Sequence, residues 1–164
     1  MSCKPEPGLG ELLRHLSELV DQGAEQRYRE LSLSYRPRFT PVLRAIAAGA
    51  ETVSDITALT HLTQGAVSQS VALLVADGLL NRQAMDDARR SGLRLTAKGR
   101  ALLKKLQPHW TITFAAIQRL EDEIGFPLRE ALAAAADALE RAGFAERLAA
   151  AGALHPNPEK HHVR

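Results

Sequence analysis

The stretch TQGAVSQSVALLVADGLLNRQAMDDARRSGLRLTAKG, residues 63–99, decides the fold. Val67, Val71 and Leu74 recur at helical spacing and form one apolar stripe, with Gln64, Ser68 and Gln69 on the opposite side. A helix that buries one stripe and offers short polar side chains along the other suits a major groove. Asp77-Gly78 ends it, because glycine takes the left-handed conformation at little cost. Leu79, Leu80 and residues 81–85 then read as a strand, with Leu93-Arg94-Leu95 as its partner. The polar turn between them carries Arg89 and Arg90 at its tip. Upstream, Val53, Ile56 and Leu59 recur at spacings of three and mark a shorter helix. Two short helices followed by a hairpin are the layout of a winged helix-turn-helix. The predicted class is therefore mainly α with a small β-hairpin wing, and double-stranded DNA is the first partner to expect. Arginine at a hairpin tip can enter a minor groove, where its flat charge meets concentrated phosphate potential. On its own such a turn reads equally well as solvated surface; its place after a helix-turn-helix favours DNA.

These residues resemble the MarR family of bacterial winged helix-turn-helix transcription regulators. The resemblance rests on Ala66-Val67-Ser68-Gln69 in the second helix, Asp77-Gly78-Leu79-Leu80 at its end, and Asp87-x-Arg89 in the wing. The hairpin returns through Leu93-Arg94-Leu95-Thr96 to Gly99, which is similar to the family's L-x-L-T-x-x-G ending. Each piece is common among winged helices, and their order and spacing together carry the resemblance, over about a third of the chain. His61 departs from it, standing where the family commonly has glycine. A positive φ angle is expected there, which histidine tolerates better than most residues.

Composition sets the outer bounds. The 164 residues are 45% apolar but only 4% aromatic, so the core must be aliphatic and alanine-rich, which favours helices. A net charge of +2 does not by itself imply nucleic acid. Its distribution says more, because Arg82, Arg89, Arg90, Arg94, Lys98, Arg100, Lys104 and Lys105 crowd one 24-residue window. A basic face on a nearly neutral protein suits site-specific binding. The start has no apolar run of the secretory kind, and no stretch approaches the roughly 20 apolar residues of a membrane span. A cytoplasmic protein with no membrane partner is expected.

The flanking segments predict more than a DNA-binding module. Leu9, Leu12, Leu13, Leu16, Leu19 and Val20 form a stripe on a helix from about Gly8 to Arg29, and residues 31–37 then break the pattern. A short helix begins at Pro41 with Thr40 as its expected cap, presents Val42, Leu43, Ile46 and Ala47, and closes at Gly49. After the wing, Thr96 is expected to cap a helix running to about Glu123, roughly 40 Å long. Leu103, Leu106, Trp110, Phe114, Ile117 and Leu120 form its stripe, and Pro108 is expected to kink it. A last helical region starts at Pro127, carries Leu128, Leu132, Ala135, Leu139 and Leu148, and is interrupted near Gly143. The whole chain reads as one MarR-type domain, 1–164. It comprises an N-terminal dimerisation helix and connector (8–36), a winged helix-turn-helix lobe (40–99), C-terminal dimerisation helices (97–152) and a polar tail (153–164). Long apolar helices at both ends need a covering surface, most simply a second copy, although a monomeric bundle remains the alternative. The resemblance implies a homodimer through both termini, a near-palindromic operator, and a repressor relieved by a small ligand.

Roles follow from residue chemistry. Gln64, Ser68 and Gln69 are candidates for base edges, since glutamine can pair with adenine. Thr63 is best spent as the helix cap, with phosphate contact as a second use. Arg89 is expected in the minor groove with Asp87 orienting its guanidinium, and Arg90, Arg94 and Lys98 on phosphates. The resemblance further implies a crevice for small aromatic or phenolic effectors. His15, Tyr35, Arg36, Phe39, His109, Trp110 and Phe114 are its candidate border, and an apolar wall with cationic and hydroxyl groups suits an organic anion. Each of these residues also has a plain packing or solvent-facing reading.

Other classes find little support. Cys3 stands alone in the chain, without a group to hold a thiolate or a resolving partner, which argues against oxidant sensing. His155, His161 and His162 lack the ordered spacing of a closed zinc site, and no metal or cofactor is expected. No nucleophile elbow, phosphate-cradling loop or H-E-x-x-H pair suggests an enzyme. A winged helix serving as a protein-interaction module remains the alternative, and the basic wing argues against it.

Overall fold

The computed structural model describes residues 5–84 and 91–154. Cys3, the wing-tip residues Asp87, Arg89 and Arg90, and His155, His161 and His162 therefore lie outside the described residues. The described chain runs α1 (Leu9–Glu30), a 3-10 turn (Pro37–Phe39), α2 (Thr40–Ala47), α3 (Val53–Ala58), α4 (Gln64–Ala76), β1 (Leu80–Ala84), β2 (Ser91–Leu95), α5 (Ala97–Ile124), α6 (Leu128–Arg141) and α7 (Phe144–Leu154). This is the mainly helical winged architecture that the sequence predicts. Two compact units divide between Pro108 and His109, within α5.

In the first unit the core is largely aliphatic, with Tyr28, Tyr35 and Phe39 as its buried aromatic members. Val42, Ile56, Val67, Val71, Leu74, Leu80 and Leu106 are completely buried, so the stripe read on α4 is its core face. Thr52 starts α3 with a capping box: its side chain accepts from the Asp55 amide at 3.1 Å, and the Asp55 carboxylate accepts from the Thr52 amide at 2.9 Å. The short helix α3 depends on this local closure. Its last apolar position differs from expectation, because Leu59 lies just past the helix end and is 61% exposed.

The two strands pair antiparallel, with Leu80 opposite Leu95 and Arg82 opposite Leu93. A third segment pins the hairpin, since the Leu93 amide donates to the Glu51 carbonyl at 2.7 Å. The loop between α2 and α3 thereby fixes the wing to the helical core.

Three local expectations are corrected. Thr40 is not the cap of α2 but its first residue; the 3-10 turn leads in, Phe39 occupies the cap position, and Thr40 Oγ1 instead bonds Tyr35 Oη at 3.0 Å. Ala45 rather than Ala47 shares the buried face of α2. His61 does not adopt a positive φ angle, because among the described non-glycine residues only Ser32 does, at 53°. The turn between α3 and α4 is built without a left-handed residue. Ser32 takes that role after α1, where the Leu33 amide bonds Tyr28 O and the Ser32 amide bonds Arg29 O in a Schellman closure.

The second unit comprises the remainder of α5 with α6 and α7. Its corner is made by Glu121 and Arg129. The Glu121 carboxylate accepts from the Arg129 amide at 2.8 Å and from the Arg129 guanidinium at 2.9 Å, so one side chain both caps α6 and holds its first turn. The guanidinium also reaches Gln118 Oε1 at 3.1 Å. Arg147 bridges α7 to α6 through the carbonyls of Ala138 and Ala142. No residue of α6 or α7 is buried. No helix among the described residues is long and apolar enough to cross a membrane.

Candidate nucleic-acid interface and adjoining pocket

The helix α4 is prepared at both ends. Thr63 Oγ1 accepts from the Ala66 amide at 3.2 Å, which confirms the capping role and uses one acceptor site of its hydroxyl. Gln64 and Gln69 are exposed, whereas Ser68 is half-buried and offers less of its hydroxyl. Gln69 therefore stands opposite the completely buried stripe, whereas Gln64 is exposed in the first turn, three residues before Val67 and seven before Val71 on the stripe's own side.

Residues 77–79 form the other end. Gly78 has φ 70°, and the amides of Gly78 and Leu79 bond back to Val75 and Leu74. All three carbonyls of this turn are then gathered by the start of α5. Thr96 Oγ1 donates to Gly78 O at 2.7 Å, the Thr96 amide donates to Leu79 O at 3.0 Å, and Lys98 Nζ donates to Asp77 O at 2.7 Å. The same Thr96 hydroxyl accepts from the Gly99 amide at 2.9 Å, as a helix cap should. Gly99 sits so close that a Cβ there would stand 2.1 Å from Leu79 O. The Thr-x-x-Gly spacing thus has a physical cause: it closes the recognition-helix terminus onto α5.

The basic residues are used unequally. Arg94, exposed on β2, approaches the Glu51 carboxylate at 3.8 Å, a solvent-exposed pairing that constrains it little. Lys98, expected on a phosphate, bonds the end of α4 here. Arg100 donates to Leu95 O at 2.8 Å. Asp87, Arg89 and Arg90 are outside the described residues.

A pocket of about 470 Å³ adjoins this clamp. Its walls come from the connector at Ser32–Arg36 and Phe39, from Asp77 and Leu79, and from Lys98, Ala101, Leu102 and Lys105 on α5. Of the sequence-predicted border, Tyr35, Arg36 and Phe39 meet here. His15, His109, Trp110 and Phe114 are not among its walls. His15 is exposed and Phe114 is 39% exposed, so neither packs in a core. Trp110 is buried, and its indole N–H has no acceptor among the described residues.

Tyr35 organises one wall. Its ring meets Tyr28 edge-on at 5.1 Å and Phe39 at 6.5 Å, and the Arg38 guanidinium lies 5.2 Å over Phe39. Burial pushes the Tyr35 phenol far above its ordinary ionisation range, so it stays a neutral hydroxyl. Arg36, Lys98 and Lys105 bring three cations to the pocket against the single carboxylate of Asp77. Sequence reasoning missed Lys98 and Lys105 here; their spacing of seven puts both on one face of α5, but the charge run reads equally as a phosphate-binding strip. No group of three His, Cys, Asp or Glu side chains able to hold a metal occurs among the described residues.

Comparison with known proteins agrees with this geometry. Residues 40–91 match the model of the MarR family, in agreement with the resemblance read from the sequence. Members of that family are transcription regulators. The DNA complex of the M. tuberculosis transcriptional regulator MosR is similar at 21% identity, covering 82% of this chain and 98% of that chain, with a TM-score of 0.65. A MarR family transcriptional regulator of Silicibacter pomeroyi is 25% identical, covering 80% of this chain and 94% of its own, at 0.58. BpsR of Bordetella bronchiseptica, whose DNA binding is regulated by 6-hydroxynicotinic acid, is 24% identical, covering 68% and 84%, at 0.53. No curated protein matches the chain.

Proposed function

We propose, on the premise that residues 40–91 form a MarR-family winged helix, that the protein is a homodimeric, sequence-specific regulator of transcription. The form we favour is a repressor of near-palindromic operators that a small organic anion releases. The observation that carries this reading is α4. Its apolar face is completely buried, its two glutamines are exposed, and it is closed at both ends by Thr63 and by the Thr96–Lys98 clamp. A helix so held can lie in a major groove at low ordering cost.

Gln64 and Gln69 read base edges, with Ser68 as a lesser contributor, while Arg94 meets phosphate beside them. On the grounds of sequence alone, Arg89 enters the minor groove with Asp87 orienting it, and Arg90 adds a phosphate contact. Dimerisation is supported by the apolar side chains that the chain leaves uncovered. Leu9, Leu12 and Leu19 on α1 are exposed, as are Phe144 and Leu148 on α7. A second copy is the simplest cover for both.

The effector reading is supported by the pocket's chemistry, in which aromatic and aliphatic walls carry three cations and a neutral phenol. BpsR responds to an aromatic acid, a ligand of the same character.

Substitution tests the division of labour. Gln69→Ala should weaken binding to the selected operator by about tenfold and change base preference at one or two positions, each good base contact being worth about 1–3 kcal/mol. Arg89→Ala should weaken it at least as much. Measured by fluorescence anisotropy on operator and random duplexes, equal losses on both for both variants would contradict the assignment.

A further inference from the structure

The pocket and the recognition helix share a bond. Lys98 and Asp77 both stand on the pocket wall, and Lys98 Nζ donates at 2.7 Å to the Asp77 carbonyl, at the C-cap position of α4. The ammonium is exposed and lies in the last connection between α4 and the first turn of α5. Thr96 and Gly99 complete that connection from inside, where backbone and buried glycine leave no room to change partner. Lys98 differs, because a flexible side chain can be drawn elsewhere without disturbing the backbone. It is also the mobile member of the clamp that faces the pocket.

We infer that Lys98 is a positioning residue that links pocket occupancy to DNA binding, through competition between a ligand carboxylate and the Asp77 carbonyl for its ammonium. A carboxylate is the stronger acceptor of the two, since an ionised partner roughly doubles the strength of a hydrogen bond. Arg36 and Lys105 supply additional charge to hold the anion, and must outweigh the Asp77 carboxylate on the same wall. Once Lys98 is drawn to the anion, Asp77 O loses its partner at the helix terminus. Lys98 also no longer places its positive charge at the negative end of the α4 dipole. The last turn of α4 loosens, and the helix that carries Gln64 and Gln69 is held less firmly. This inference rests on the pocket being the effector site, as proposed above.

Hydrogen exchange on the full chain, followed by mass spectrometry, tests it with benzoate as the probe and benzamide as its uncharged counterpart. Saturating benzoate should speed exchange in the last turn of α4, residues 75–79, by about tenfold, toward the lower end of what a charged hydrogen bond contributes. Benzamide should leave the rate unchanged. Lys98→Met should exchange at the fast rate without any ligand, should bind operator about tenfold more weakly than the wild type, and should no longer respond to benzoate. Lys98→Arg should retain most of the protection.

Two results would overturn the inference directly. Full protection of residues 75–79 in Lys98→Met would remove the link whatever benzoate does. So would a salt slope reduced by about one in that variant with unchanged exchange, which would make Lys98 a phosphate contact. Calorimetry separates the premise from the link: no benzoate binding by wild type, together with an unprotected helix end in Lys98→Met, would refute the effector reading and the switch and leave Lys98 a fixed clamp.

Discussion

The winged-helix lobe and the pair α6 and α7 use the same aliphatic side chains to opposite ends. In the lobe, Val67, Val71 and Leu74 recur at helical spacing and are completely buried. In the other region Leu132 and Leu139, seven residues apart on one face of α6, and Leu148 on α7 are 39%, 42% and 57% exposed. Periodicity is therefore not what distinguishes a core from an interface. The lobe supplies its own opposing surfaces through α2, α3, β1 and the first turns of α5, whereas α6 and α7 present their stripes with nothing in their own unit to bury them. Such uncovered stripes are what the proposed dimer would bury.

The largest effects should separate these regions. Leu74→Ala should cost about 2–5 kcal/mol of unfolding free energy, because the lobe around it cannot collapse onto the cavity. Leu148→Ala should cost under about 0.5 kcal/mol in dilute monomer. Its effect should appear instead as a melting temperature that falls with dilution, read from urea and thermal melts across a hundredfold concentration range. Similar concentration-independent losses in both variants would erase the contrast.

Two glycines sharpen the contrast inside the lobe. Gly99→Ala should destabilise by about 1–3 kcal/mol, since its Cβ meets the Leu79 carbonyl and neither backbone can retreat. Gly65→Ala, with open space around it on α4, should stabilise by roughly 0.5–1 kcal/mol through helix propensity. Urea titration of the two variants checks the sign of each.

The smallest effect concerns the corner between α5 and α6. Hydrogen bonds from Arg129, helped by its charge, hold the Glu121 carboxyl below its ordinary value of 4.5. The folded state therefore binds its proton less readily than the unfolded chain. The stabilisation is fully present above that ordinary value and is lost as pH falls through the depressed one. Glu121→Gln should flatten the acid limb of a plot of melting temperature against pH and leave the slope near neutrality unchanged. An unchanged acid limb would mean the corner is held by packing.

Much of the lobe was legible because its signals are local. Thr63 caps where a hydroxyl precedes a helix, Asp77-Gly78 stops α4, and Thr96 starts α5 three residues before Gly99. The misreadings came from tertiary competition. Thr40 was expected as a cap, but its hydroxyl pairs with Tyr35 and a 3-10 turn starts the helix. The bond from Lys98 to the Asp77 carbonyl was not legible, since a charge run carries no sign of which carbonyl lies within reach. Lys98 and Lys105 were not read as pocket residues, because a charge run does not show which crevice it borders. Residue chemistry indicates what a side chain can do, and only the packing decides where it is spent.

The most direct test of a dimeric, site-specific regulator is a footprint on the best genomic fragment selected by the purified protein, with a salt titration beside it. Protection of a near-palindrome with half-sites about one helical turn apart, and random-DNA binding weaker by about a thousandfold or more, is the expected result. Uniform, steeply salt-sensitive binding to every fragment would contradict it, leaving phosphate contact alone.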